Sequence, residues 1–203
     1  MEIIGVTGNS GSGKTLVCSM LRPYGAYIID ADKIARQVTE TGMPAYDELT
    51  DAFGAAILYA DGTINRRQLA DIAFADKTQQ QRLIDITHKY IVAQMYQTIE
   101  SIKKNPEAYQ FIVLDAPLLI EAGLHKAVTE VWVTEADEAI KIKRIMARDA
   151  VTEAQAVARL RAQPCAEMLS AYASRIIINQ GDMQSLSAQV RAAVEQFLAH
   201  CQC

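Results

Sequence analysis

The chain has 203 residues, with 20 Lys+Arg against 24 Asp+Glu and 50% hydrophobic side chains. That length suits one compact domain with an appended piece, and it buries enough surface to fold without disulfides or metal. A net charge of −4 excludes a broadly cationic binder of nucleic acid or of a membrane surface, which needs a summed positive field.

The first run, Ile3-Ile4-Gly5-Val6, is short, β-branched and apolar on both faces, as in a strand covered by helices on each side. Gly8-Asn9-Ser10-Gly11-Ser12-Gly13-Lys14-Thr15 follows and satisfies G-x-x-x-x-G-K-[ST] in full. Its glycines, Gly8, Gly11 and Gly13, let the backbone curl so that the N–H groups from Ser10 through Ser12 to Thr15 can turn toward phosphate oxygens. The next helix adds its positive end, Lys14 can reach the β- and γ-phosphates of a nucleoside triphosphate, and the Thr15 hydroxyl can ligate Mg²⁺. That helix places Leu16, Val17, Met20 and Leu21 on one side and must stop before Pro23. The polar stretch from Asn9 to Thr15 also interrupts any signal-peptide core, and no run approaches the roughly 18 apolar residues of a membrane span.

Tyr27-Ile28-Ile29 reads as the second strand and ends in Asp30-Ala31-Asp32. An acid at a strand's carboxyl end can accept the proton of an attacking hydroxyl or simply cap the next helix. Residues 31–110 are too long for one crossover and read as a helical insertion. Gly42-Met43-Pro44 and Asp61-Gly62 divide it, Asn65 caps a helix from Arg66 to Phe74, and a long helix from Thr78 to Lys104 is stopped by Asn105-Pro106. Phe111-Ile112-Val113-Leu114 is the third strand, with Asp115 at its end placed to hold Mg²⁺. Val131-Trp132-Val133 and Ile176-Ile177-Ile178 are the fourth and fifth, and all five runs read as buried on both sides.

Between the last two strands lie helices near Asp137–Arg148 and Thr152–Gln163. Lys141, Arg144 and Arg148 recur at i, i+3 and i+7, a row that is either a solvated face or a cationic edge over a transferring phosphoryl group; Arg144 and Arg148 are the candidates for the latter. A last helix carries Leu186, Val190, Val194, Phe197 and Leu198 on one side. Cys18, Cys165, Cys201 and Cys203 lack zinc or disulfide spacings, which fits a reducing cytosol. The expected class is α/β: a P-loop kinase core with a five-stranded parallel sheet flanked by helices, a helical substrate-binding insertion and a small helical lid. Core residues are 1–33 and 108–203, with the lid at about 148–166, and 34–107 form the insertion. Asn-Lys-x-Asp is absent, and the third strand ends in Asp115-Ala116-Pro117-Leu118 where a GTPase has its Asp-x-x-Gly switch, which leaves a small-molecule kinase, a nucleoside monophosphate kinase or a nucleotide-binding regulator.

Beyond the P-loop, several further segments stand in a specific order. Asp30-Ala31-Asp32 precedes Ile34-Ala35-Arg36; Asp61-Gly62-Thr63-Ile64-Asn65-Arg66 follows; then come Asp115-Ala116-Pro117-Leu118-Leu119-Ile120-Glu121, Arg144 to Asp149, Arg159, Gln163 and Asn179-Gln180-Gly181. With these the chain resembles the dephospho-coenzyme A kinase family over nearly its whole length. It departs where Asn9-Ser10 replaces a usual Gly-Ile, where Lys89 follows His88 in place of Pro, and in a stretch after Gln163 without basic residues. The resemblance implies transfer of the γ-phosphate of ATP to the ribose 3′-hydroxyl of dephospho-coenzyme A, the final step of coenzyme A biosynthesis. It makes Asp32 the candidate base, has Arg66 and His88 hold the acceptor, and sets Asn179 and Gly181 beside the adenine. A cytoplasmic monomer or weak homo-oligomer is expected, with a small-molecule substrate and no nucleic-acid or membrane partner.

Overall fold

The structure is a computed structural model and describes residues 1–104 and 108–201. Asn105 and Pro106, expected to stop the long helix, lie outside the described residues, as do Gln202 and Cys203 of the terminal Cys-Gln-Cys. Strands β1 (Ile3–Thr7), β2 (Ala26–Asp30), β3 (Phe111–Asp115), β4 (Glu130–Glu135) and β5 (Arg175–Ile178) form one sheet in the order β2-β3-β1-β4-β5. β1 runs parallel to β3 and β4, and β4 parallel to β5. With β3 on one side of β1 and β4 on the other, chain direction across the sheet reverses at β1, and ligands of open α/β sheets bind outside the carboxyl ends at such a point.

β1 and β3 are buried at every residue, as strands covered on both faces require. The two edge strands are not. Tyr27 and Ile28 of β2 are half-buried, and Ile176 and Ile178 of β5 are 46% and 39% exposed. The expectation of strands buried on both sides fails there: Ile176 and Ile178 share one face of β5 and that face is left open while Ile177 on the other is buried, and β2 is only partly covered.

Contacts divide the chain into two compact units, one of Met1–Ile29 with the chain from Ile102 onward, the other of Asp30–Ser101. In the first, α1 (Lys14–Leu21) packs Val17, Cys18 and Leu21 on Ile4, Val6, Phe111 and Trp132, while α9 (Met183–His200) adds Leu186, Val190, Val194 and Phe197. Val17 and Leu21 are i, i+4 neighbours, so one face of α1 meets the sheet. The second unit contains α2 (Ala31–Gln37), α3 (Pro44–Phe53), α4 (Arg66–Ala73) and most of α5 (Lys77–Lys103), around Leu49, Ile57 and Leu69 with Leu83 and Ile86. Pro44 begins α3 at a position where its missing N–H costs nothing. Asn65 accepts from Gln68 N and caps α4. The Asp61-Gly62 turn joins residues bridged between Leu58 and Ile64.

α6 (Glu138–Asp149), α7 (Glu153–Arg161) and α8 (Ala166–Ser170) lie between β4 and β5. Thr152 and Gln155 form a reciprocal capping box that fixes the start of α7. The apolar periodicity predicts no element at α8, because a helix of little more than one turn has none to show. No helix among the described residues is long and apolar enough to cross a membrane.

One ion pair ties β5 to the rest of the sheet. Arg175 donates to Glu130 through Nε at 2.7 Å and Nη2 at 3.1 Å, and Trp132 Nε1–H donates to the same carboxylate at 2.7 Å. Burial pushes the Glu130 carboxyl up, and the hydrogen bonds from Arg175 and Trp132 outweigh it, so its pKa falls below the usual value. A depressed folded pKa adds stability above the unfolded value and loses it as pH falls through the folded one. Glu130→Gln should therefore cost about 1 kcal/mol at neutral pH, the scale of a partly exposed ion pair. Thermal scans should show the gap closing as pH drops below the ordinary Glu value of about 4.3; a gap that persists unchanged in acid would assign the effect to packing.

Candidate active site

The loop joining β1 to α1 is shaped by its glycines and pinned from outside by side chains of distant segments. Gly11 and Gly13 have φ of 81° and 94°, left-handed values that suit glycine, and a Cβ on Gly13 would stand 2.0 Å from Asn179 Nδ2. That Nδ2 donates to the Ser12 carbonyl at 2.9 Å. Arg144 Nη1 donates to the Gly11 carbonyl at 2.9 Å, and its Nη2 donates to Asn179 Oδ1 at 3.0 Å. Because N–H and C=O of a trans peptide point in opposite directions, anchoring the Ser12 carbonyl turns the Gly13 N–H away from Asn179 and Arg144. The pinning thus consumes carbonyls and leaves that amide for an anion.

Beneath the loop, Thr134 of β4 donates to the Thr7 carbonyl at 3.2 Å, and the buried Ser12 hydroxyl lies 2.6 Å from Thr134 Oγ1. Since the single Thr134 proton goes to Thr7, Ser12 is the donor to Thr134. Lys14, first residue of α1, forms an ion pair with Asp115 at the end of β3. Asp115 is only 4% exposed, so this lysine is the counter-charge to a buried carboxylate. Thr15 follows, exposed, in the first turn of α1.

The basic row of α6 does not make a uniform solvated face. Lys141 is buried and pairs with Glu135 at 2.6 Å, Arg144 is turned onto the loop carbonyls, and Arg148 is exposed. Arg148 Nη2 reaches the Ser10 hydroxyl at 3.4 Å, and its Nε donates to Asp149 at 2.8 Å. Arg159 of α7 donates to Asp149 at 2.5 Å. The Arg148 hydrogen bond, with Arg159 added, holds the Asp149 carboxyl below the usual carboxylate range.

Two further contacts had no local signal. Gln163 Oε1 accepts from Ser10 N at 2.9 Å, and the Pro164 carbonyl accepts from Asn9 Nδ2 at 3.1 Å. They seat the segment after α7 on the first half of the phosphate loop. The structure thus brings Ser10, Gly11, Ser12, Gly13, Lys14, Asp115, Arg144, Arg148 and Asn179 together; Gly8 directly follows β1, and Gly181 is exposed two residues beyond Asn179.

The other expected site residues belong to the second unit. Asp30 is the N-cap of α2, accepting from Lys33 N at 3.0 Å, and Asp32 is exposed in the first turn of that helix. Arg66 Nη2 donates to the Arg36 carbonyl and to Thr39 Oγ1 at 3.1 and 2.8 Å. His88, on α5, has a buried Nε2 that meets no partner among the described residues. Beside it Lys89 and Tyr90 both donate to Glu48 of α3, at 2.7 and 2.5 Å. Lys89 first, then Tyr90, holds the Glu48 carboxyl below its ordinary pKa.

A glycine cradle whose lysine is turned to an acid on the neighbouring strand is the working part of a P-loop kinase. Solved structures share the whole architecture. A Thermus thermophilus protein matches with a TM-score of 0.82 at 27% identity, covering 96% of this chain and 97% of its own. A dephospho-CoA kinase from Campylobacter jejuni shares the fold with a TM-score of 0.72 at 24% identity, covering 98% and 99%. Within that class, the chain belongs to the dephospho-CoA kinase family, whose family model matches residues 2–185. A curated relative, the dephospho-CoA kinase of Moorella thermoacetica, is 42% identical over 201 residues, covering 98% of this chain and 94% of its own length.

Proposed function

We infer that this chain transfers the γ-phosphate of ATP to the ribose 3′-hydroxyl of dephospho-coenzyme A, giving ADP and coenzyme A. The observation that carries the reading is the Lys14–Asp115 pair at the carboxyl edge of the sheet, beside amides at the start of α1. Family membership supplies the acceptor.

In this reading Asp32 accepts the hydroxyl proton as the 3′-oxygen forms its bond to the γ-phosphorus, and the bond to the β–γ bridging oxygen breaks to release ADP. Lys14 balances charge on the β- and γ-oxygens, and the backbone from Ser10 to Thr15 cradles the phosphates. Arg148, exposed beside Ser10, supplies positive charge as the phosphoryl group moves. Arg144 serves through the loop it pins. Thr15 and Asp115 would hold Mg²⁺, which when bound neutralises phosphate charge. One hydroxyl and one carboxylate suit an ion that takes its remaining ligands from phosphate and water, and no group of three or more His, Cys, Asp or Glu among the described residues offers a full protein cage.

Residues 34–107 would form the acceptor-binding subdomain, with Arg66 and His88 holding the acceptor, while 148–166 act as the lid and Asn179 and Gly181 border the adenine. The enzyme would work in the cytoplasm as a monomer or weak homo-oligomer. Incubation with Mg-ATP and dephospho-coenzyme A should release ADP in step with coenzyme A phosphorylated at the 3′ position. ADP release that ignores the acceptor would overturn the reading.

A further inference from the structure

Asp32 and Arg36 stand four residues apart on α2 and are both exposed, so they share one face a single turn apart, with about 6 Å between their Cβ atoms. Arg66, first residue of α4, brings a second guanidinium to the same end of α2. Its Nη2 donates to the Arg36 carbonyl and to Thr39 Oγ1, while Thr39 in turn donates to the Ala35 carbonyl at 2.8 Å. These bonds fix the orientation of the Arg66 fork but use only one of its three nitrogens; Nε–H and Nη1–H meet no acceptor among the described residues.

Partial burial, and after it the Arg36 charge, draws the Arg66 pKa below its ordinary value, with Glu40 pulling the other way. The two cations are therefore within range of each other. Neither forms an ion pair among the described residues. Two arginines this close, both exposed and neither ion-paired among the described residues, have Glu40 as the nearby acid and still present positive charge that favours a further anion. Capping the last carbonyls of α2 would need only Arg66, and it leaves the charge of Arg36 without a role.

We propose that Arg36 and Arg66 form a clamp for the 5′-diphosphate of the acceptor nucleotide, one helical turn from the carboxylate of Asp32. The inference rests on the kinase reading above. The acceptor carries its reacting 3′-hydroxyl and, through C5′, its 5′-diphosphate on adjacent carbons, C3′ and C4′, of a single ribose ring. A group that meets Asp32 with the first therefore presents the second one short step away, and a step of one turn along α2 supplies it. Guanidinium forks match phosphate oxygens two at a time, which fixes the ring's direction as well as its position. The clamp thus selects nucleotides with a 5′-diphosphate and orients the 3′-hydroxyl toward the base.

The test compares ADP-ribose, which carries the same adenosine and diphosphate without the pantetheine arm, with adenosine, which carries neither phosphate. Both are measured as inhibitors against dephospho-coenzyme A at saturating ATP, and ADP-ribose binding is also measured directly by calorimetry. Arg36→Gln and Arg66→Gln should weaken ADP-ribose roughly 10- to 100-fold, the worth of a charged bidentate contact, and leave adenosine unchanged. Arg66→Lys keeps the charge and should recover only part of the loss. Equal weakening of both ligands, or no weakening of ADP-ribose, would overturn the clamp. If the unaltered chain failed to phosphorylate dephospho-coenzyme A yet bound ADP-ribose in an Arg36-dependent way, the reaction would be wrong and the diphosphate site would stand.

Discussion

Lys14→Ala is expected to lower kcat by about 1000-fold, the upper range for removal of one fixed charge-stabilising group. It is expected to lower stability as well, which separates it from an ordinary catalytic variant. The Lys14 ammonium is the ion-pair partner of Asp115, and that carboxylate is almost fully buried. Taking away one member of such a pair leaves an uncompensated charge, worth roughly 3 kcal/mol. The surroundings of Asp115 must then rearrange or draw in water.

The double variant Lys14→Ala/Asp115→Asn removes the stranded charge, so melting temperature should recover in part while transfer stays absent. This contrast separates the two roles of Lys14, because only the structural one can be rescued from Asp115. A Lys14→Ala protein that kept more than about a tenth of the activity would remove Lys14 from the phosphate site. One that melted like the unaltered chain would show that Asp115 finds another partner.

The phosphate loop is legible in the sequence because its backbone dictates its residues: positive φ at Gly11 and Gly13, and the approach of Asn179 to Gly13, leave no room for a side chain. What pins the loop is not legible by local pattern. The bonds from Asn179 to Ser12 and from Ser10 to Gln163 span 167 and 153 residues, and hydrogen bonds between distant segments leave no periodic trace. All five strands can be read from dense β-branched runs, but their burial cannot. β5 carries the same residues as the central strands with one face open, because composition records strand propensity and not what covers the strand.

On α6, spacing alone aligns Lys141, Arg144 and Arg148, yet the sheet side of that row buries Lys141 against Glu135. The signal available is an acid closing β4 just before the helix. The two acids of Asp30-Ala31-Asp32 pose the opposite problem. Either can cap the helix by residue type, and the hydrogen bond from Lys33 N assigns the cap to Asp30 and leaves Asp32 available.

That division makes Asp32→Asn the cleanest probe of the chemistry. The amide has the shape of the carboxylate and none of its capacity to take a proton at neutral pH, so kcat should fall by about 10²- to 10⁴-fold, the usual contribution of a positioned general base. Asp32 is exposed and caps nothing, so melting temperature should not move. ATP affinity should also hold, since the cradle from Ser10 to Thr15 belongs to the other unit. Asp30 supplies the matched control. Asp30→Asn keeps a capping oxygen and should leave both stability and kcat intact, whereas Asp30→Ala should cost about 1 kcal/mol of stability with kcat preserved. If Asp30→Asn lost the rate and Asp32→Asn kept it, the proton would go to the capping residue, and the first turn of α2 would have to open during each turnover to release it.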